Sequence, residues 1–102
     1  MMNNIIYHIT TEAEWEEAKK NGFYEAPSLH TEGFIHCSDE HQVEGVLKRY
    51  FAGKGPLVKL TIDTNKLNQR VQQDYSASMN ETFPHIYGRV NMESIVGTTI
   101  LT

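Results

Sequence analysis

Apolar and polar positions alternate from Ile5 to Thr10, which places Ile5, Tyr7 and Ile9 on one face of a strand and Ile6, His8 and Thr10 on the other. Thr11-Glu12-Ala13-Glu14 then reads as a capping box. The helix it starts runs through Trp15 and Ala18 to Gly22, where glycine offers a natural stop. Phe23 to Thr31 contains Pro27 and mixed polarity and is expected to be a loop before a short strand, Gly33 to Cys37. Ser38 or Asp39 caps the next helix, with Asp39 and Gln42 forming a second capping box. The spacing of Val43, Val46, Leu47, Tyr50 and Phe51 is the best helical period in the chain and predicts a face packed on a sheet.

Gly53-Lys54-Gly55-Pro56 ends that helix, and Leu57 to Ile62 alternates again as a half-exposed strand. Asp63 caps a short turn around Leu67. Strand patterns follow at Val71 to Tyr75, Phe83 to Val90 and Ile95 to Leu101. Strands outnumber helices and there are no repeats or linkers, so the pattern predicts one α+β domain over residues 1–102, with two main helices on antiparallel strands.

Composition narrows this reading. A chain of 102 residues is too short for a separate cofactor-binding half, and no apolar run approaches the roughly 20 residues that span a bilayer. The opening Met1-Met2-Asn3-Asn4 lacks the order of a secretory signal, and one cysteine cannot form an internal disulfide; a cytoplasmic protein without a membrane partner is expected. The net charge of -4 argues against DNA and bulk nucleic acid. Charge is sorted along the chain: nine acids face only Lys19 and Lys20 in residues 1–44, whereas Asp63 alone opposes six basic residues in 45–70. That basic middle suits either a solvated face or a phosphorylated ligand.

The candidate chemistry lies in two runs. In Glu32-Gly33-Phe34-Ile35-His36-Cys37-Ser38, alternation sends His36 and Ser38 to one face and Cys37 to the core, where a thiol behaves as a small hydrophobe. In Phe83-Pro84-His85-Ile86-Tyr87-Gly88-Arg89, alternation gathers His85, Tyr87 and Arg89 on one face: a proton carrier, a phenol and a guanidinium able to grip phosphate. Half-buried His85 and Tyr87 with Arg89 in solvent would fit the same pattern. His8 joins His36 and His85 as a third strand histidine, and all three are expected to border one cleft, whereas His30 and His41 fall where solvated histidines are common. There is no G-x-S-x-G elbow, P-loop or G-x-G-x-x-G, and a single cysteine does not make a structural zinc site; no metal is assigned.

Taken together, IYHIT, WEEAKKNGFY, EGFIHCS, the Gln42 to Phe51 helix, LVKLTID and FPHIYGRVN resemble the small bacterial family known as domain of unknown function 952. The resemblance implies a compact split antiparallel sheet of the ADP-ribosyltransferase and RNA 2′-phosphotransferase kind, with a cleft for NAD or an ADP-ribose-like nucleotide. A phosphorylated RNA end is the lesser candidate partner. It implies His8 and Ser38 as ligand-binding residues beside Tyr87 and Arg89, with His36 and His85 as catalytic residues. Ile9 stands where such a transferase has glycine, and Asp74 and Glu81 are the nearest candidates for the acid that transferase chemistry wants. The competing expectation is a non-catalytic binding module on the same fold.

Overall fold

A computed structural model describes residues 4–101; the Met1-Met2-Asn3 part of the opening segment lies outside them. Among the described residues, no helix is long and apolar enough to cross a membrane. The chain is α+β, with every paired strand antiparallel. Strand β1 (Ile5–Thr11) lies beside β4 (Leu57–Asp63), which pairs in turn with β8 (Ile95–Leu101). A second three-stranded sheet has β6 (Glu81–Ile86) between β3 (Ile35–His36) and β5 (Val71–Ser76). The short strands β2 (Phe23–Tyr24) and β7 (Val90–Asn91) pair with each other.

A backbone bridge joins the two larger sheets. Tyr7 and Ser38 exchange backbone hydrogen bonds of 2.8 and 2.7 Å, so the middle of β1 runs alongside the segment that leaves β3. This bridge brings His8 next to His36. Beneath it lies the core of Ile6, Val58, Leu60 and Ile62 from one sheet and Ile35, Cys37 and Ile86 from the other, closed by Tyr24 and Val90. Each fully buried aliphatic side chain contributes about 1.5–3 kcal/mol, so this cluster dominates the stability of the fold.

Helix α1 (Glu12–Asn21) begins and ends as its sequence predicts. The Thr11 hydroxyl accepts from the Glu14 N–H, and Gly22, at φ 84°, closes the helix on the Ala18 carbonyl. The expected capping box is only half made, because the Glu14 carboxylate turns to the Thr10 hydroxyl at 2.7 Å. Asp39 and Gln42 do form the reciprocal box, which rules out Ser38 as the cap.

Three expectations are corrected. The segment Phe23 to Thr31 is not a loop: it contains β2 and a five-residue helix, α2 (Pro27–Thr31), with proline in its first turn where no N–H is missed. The apolar stripe of α3 (Val43–Tyr50) does not bury itself on a sheet. None of its residues is fully buried and Tyr50 is 47% exposed, because Val46 and Tyr50, with Phe51 beyond the helix, line an open cleft. The run from Phe83 to Val90 is interrupted at Tyr87-Gly88-Arg89, where Gly88 adopts φ 156° and a side chain would collide with Gln69 at 2.4 Å.

Candidate functional site

The cleft beside the sheet junction has a volume of about 660 Å³. Its floor is His8, Thr10 and Cys37; its walls include Phe34, Tyr50, Phe51, Tyr75 and Phe83; His36 and His85 stand at one side, with Glu14 and Glu32 among its lining residues. Among the described residues that line it, none is Lys or Arg.

Strand pairing builds the histidine pair. His36 of β3 is in register with His85 of β6, and the two rings meet edge to face with centroids 4.9 Å apart. Each imidazole has its own carboxylate. His85 Nδ1 is 2.8 Å from Asp74 Oδ2, and His36 Nε2 is 2.9 Å from Glu32 Oε2. Phe34 stacks flat on His85, with centroids 4.2 Å apart and planes 9° apart. The buried His85 thereby has its ring face covered and its Nδ1 committed as donor to a carboxylate. A neutral ring in that state presents Nε2 as an acceptor, the arrangement of an oriented general base.

The electrostatics follow from these partners. The Tyr87 hydroxyl, 2.5 Å from Asp74 Oδ2, holds the Asp74 carboxyl down at about 2, helped by Gln72 and His85. Asp74 in turn raises Tyr87. Burial lowers His85 from its ordinary value, and the hydrogen bond to Asp74 opposes that shift. His8 is pushed down to about 4 by burial, against the pull of the His36 carbonyl. Burial also raises Cys37, which stays a thiol, and this denies it a nucleophile's role at neutral pH.

His8, His36 and His85 all line this cleft, but not in equivalent ways. His8 is part of its floor with both ring nitrogens engaged, Nδ1 with the His36 carbonyl at 2.5 Å and Nε2 with Tyr24 Oη at 2.7 Å. Ser38 also borders it, although its backbone serves the bridge to Tyr7. Tyr87 stands behind Asp74 under the Arg70 guanidinium, which lies 4.3 Å from its ring centre. Arg89 does not share the face of His85 and Tyr87. The break at Gly88 turns it onto the Phe23 ring at 4.1 Å, where it donates to Glu25 at 2.7 Å.

Of the two acids considered, Asp74 reaches the histidine pair, whereas Glu81 accepts from Gln42 at 2.7 Å and lies 3.6 Å from His41. Sequence reasoning passed over Phe34, Glu32, Tyr24 and Glu14. Glu32 and Phe34 sit inside the EGFIHCS run, and a carboxylate four residues before a histidine is a local signal for the first. Nothing local marks Tyr24, which becomes 1% exposed only through tertiary packing. Among the described residues, no cluster of three His, Cys, Asp or Glu side chains has the geometry to hold a metal.

An α+β chain with three small antiparallel sheets and a histidine pair in an apolar cleft is the class that fold and site define. The chain belongs to the family described as protein of unknown function DUF952, whose profile matches residues 9–98. It is similar to the protein CC0527 of Caulobacter crescentus. The crystal structure of that protein superposes with a TM-score of 0.86 at 28% identity, covering 96% of this chain and 86% of the other. Its solution NMR structure gives 0.82 at 28% identity, covering 97% and 85%. No curated protein matches the sequence.

Proposed function

We propose that the cleft binds the base-and-ribose part of a nucleotide of the NAD or ADP-ribose kind, and that His36 and His85 carry out acid–base steps of a glycosyl or ADP-ribosyl transfer upon it. The observation that carries this reading is the pair of imidazoles 4.9 Å apart, each held by a separate carboxylate. Aromatic walls suit a flat ring, and polar groups on one side suit ribose hydroxyls. A lining that contains Glu14 and Glu32 but no Lys or Arg favours a ring of neutral or positive charge. It also leaves the phosphates of such a ligand toward solvent, so Arg89 has no part in holding them. An RNA 2′-phosphate end, which needs a cationic grip, fits less well.

In this reading Asp74 fixes the His85 tautomer, His85 Nε2 accepts a proton from the attacking group, and Glu32 holds His36 ready to donate one. An acid–base pair of this kind contributes about 10²–10⁴-fold to rate. In this reading the paired antiparallel sheets are a compact form of the split sheet of ADP-ribosyltransferases. A binding module without catalysis is the second reading, favoured by the engagement of both nitrogens of His8 within the protein.

Ligand-observed NMR with nicotinamide riboside, NAD, ADP-ribose and a 2′-phosphorylated RNA oligonucleotide tests the binding, and release of free base tests the turnover. The nucleoside-bearing ligands should bind, and His36→Ala and His85→Ala should weaken them tenfold or more while the protein stays folded. No binding at millimolar ligand, or normal binding by both variants, would sink the proposal. Base release that Asp74→Asn abolishes without loss of binding supports the transferase reading; binding with no release supports the module.

A further inference from the structure

Four side chains beneath the cleft form one chain of hydrogen-bonding contacts. His8 Nε2 meets Tyr24 Oη at 2.7 Å, Tyr24 Oη meets Thr10 Oγ1 at 3.0 Å, and Thr10 Oγ1 meets Glu14 Oε1 at 2.7 Å. The far side of the imidazole is fixed, because Nδ1 faces the His36 carbonyl at 2.5 Å and a carbonyl can only accept. Nδ1 therefore carries a hydrogen. The remaining three contacts need one hydrogen each. The tyrosine and threonine hydroxyls supply two. With a neutral His8 and an ionised Glu14, one contact would set lone pair against lone pair among the buried residues His8, Tyr24 and Thr10, at the cost of an unmade hydrogen bond.

We infer that the chain holds a third, mobile hydrogen shared between Glu14 and His8, and that it acts as a proton relay under the cleft. When the hydrogen is on Glu14, the carboxyl donates to Thr10, Thr10 to Tyr24, and Tyr24 to His8 Nε2. Transfer breaks the Glu14 O–H bond and forms a new O–H on Thr10, whose own hydrogen passes to Tyr24 as the tyrosine's passes to Nε2. The products are a carboxylate and an imidazolium. The chain carries no net charge before or after, so neither state buries an unpaired ion.

The surroundings suit a relay. The other ionisable groups near His8 are Tyr24, Cys37 and His36; burial keeps the first two protonated, and His36 meets His8 through its carbonyl. At the other end, Glu14 also lines a second groove of about 260 Å³, together with Glu17, Glu25 and His30. Glu14 lines both the main cleft and this outer groove, so the shared hydrogen enters and leaves the chain at its carboxyl end. The relay needs only these four side chains and stands whatever the ligand is.

The test follows the His8 ring nitrogens and the Glu14 carboxyl carbon by NMR across pH in the intact protein. Both probes should report one uptake step at the same midpoint, with fractional amplitudes that add to a single proton. Glu14→Gln supplies an N–H to Thr10 and fills all three contacts without the extra proton. His8 should then stay neutral through the former step, its protonation moving down by about one pH unit or more. Thr10→Ser, which keeps the hydroxyl, should retain the shared step. Separate midpoints for the two groups in the wild-type protein, or an unmoved His8 step in Glu14→Gln, would overturn the relay. If Glu14→Gln does not fold, the wild-type comparison alone still decides.

Discussion

Tyr24→Phe removes one oxygen atom from the most interior aromatic residue of the fold. Tyr24 is 1% exposed, and its hydroxyl touches both His8 Nε2 and Thr10 Oγ1. The ring keeps its packing and the void is smaller than a water molecule, so the cost is almost wholly polar. His8 Nε2 loses its partner, and Thr10 keeps only the contact with Glu14. A buried group left unsatisfied costs about 1–3 kcal/mol and the hydrogen bond lost by Thr10 about 0.5–1.5 kcal/mol, so the substitution should cost about 2–4 kcal/mol. Set against a total stability of about 5–15 kcal/mol, this is a large fraction, and for a chain of this length it lowers Tm by roughly 10–25 °C. Urea unfolding followed by circular dichroism measures it, with an unchanged slope showing that the two end states are the same. Tyr75→Phe is the control: that ring is 65% exposed, its hydroxyl meets Asn80 at 2.6 Å, and its loss should stay within about 0.5 kcal/mol. A Tyr24→Phe protein as stable as the wild type would refute the mutual dependence of these buried groups.

Acid should destabilise the protein through His85. Burial holds its folded value below the ordinary 6.5, so its contribution is complete above that ordinary value and is lost as pH falls through the lowered one. Thermal melts of wild type and His85→Gln between pH 4 and 7 check this, and parallel pH profiles would contradict it. Leu47→Ala should cost about 1–2 kcal/mol, less than the 2–5 kcal/mol of a fully buried leucine, because α3 walls a cleft and buries none of its residues completely; chemical denaturation distinguishes the two ranges. Arg89→Ala should leave ligand affinity within twofold and stability within about 1 kcal/mol, since its side chain is 60% exposed and pairs with Glu25 away from the histidines. A tenfold loss of affinity would restore Arg89 to the site.

What the sequence determined by itself is whatever residues within about four positions of each other decide. Alternation in β1 and β4, the Asp39–Gln42 box, the glycine stop at Gly22 and the burial of Cys37 are of this kind, since each depends on backbone period or on a side chain bonding its own turn. Membership of the DUF952 family was also legible, because EGFIHCS is followed by FPHIYG in this chain. The period of α3 was legible too, but a period says only that a face is apolar. Whether that face meets a sheet or an open cleft depends on elements far along the chain. The same holds for the site. His8 meets His36 across 28 positions, Tyr24 reaches His8 across 16, and Asp74 reaches His85 across 11 through the β5–β6 pairing. Glu14 could complete its own helix cap or accept from Thr10, and Arg89 could extend β6 or turn away at Gly88. Local preference barely separates such alternatives. Only the assembled sheets, with the burial of Tyr24 and the Tyr7–Ser38 bridge in place, make one of each pair lower in free energy.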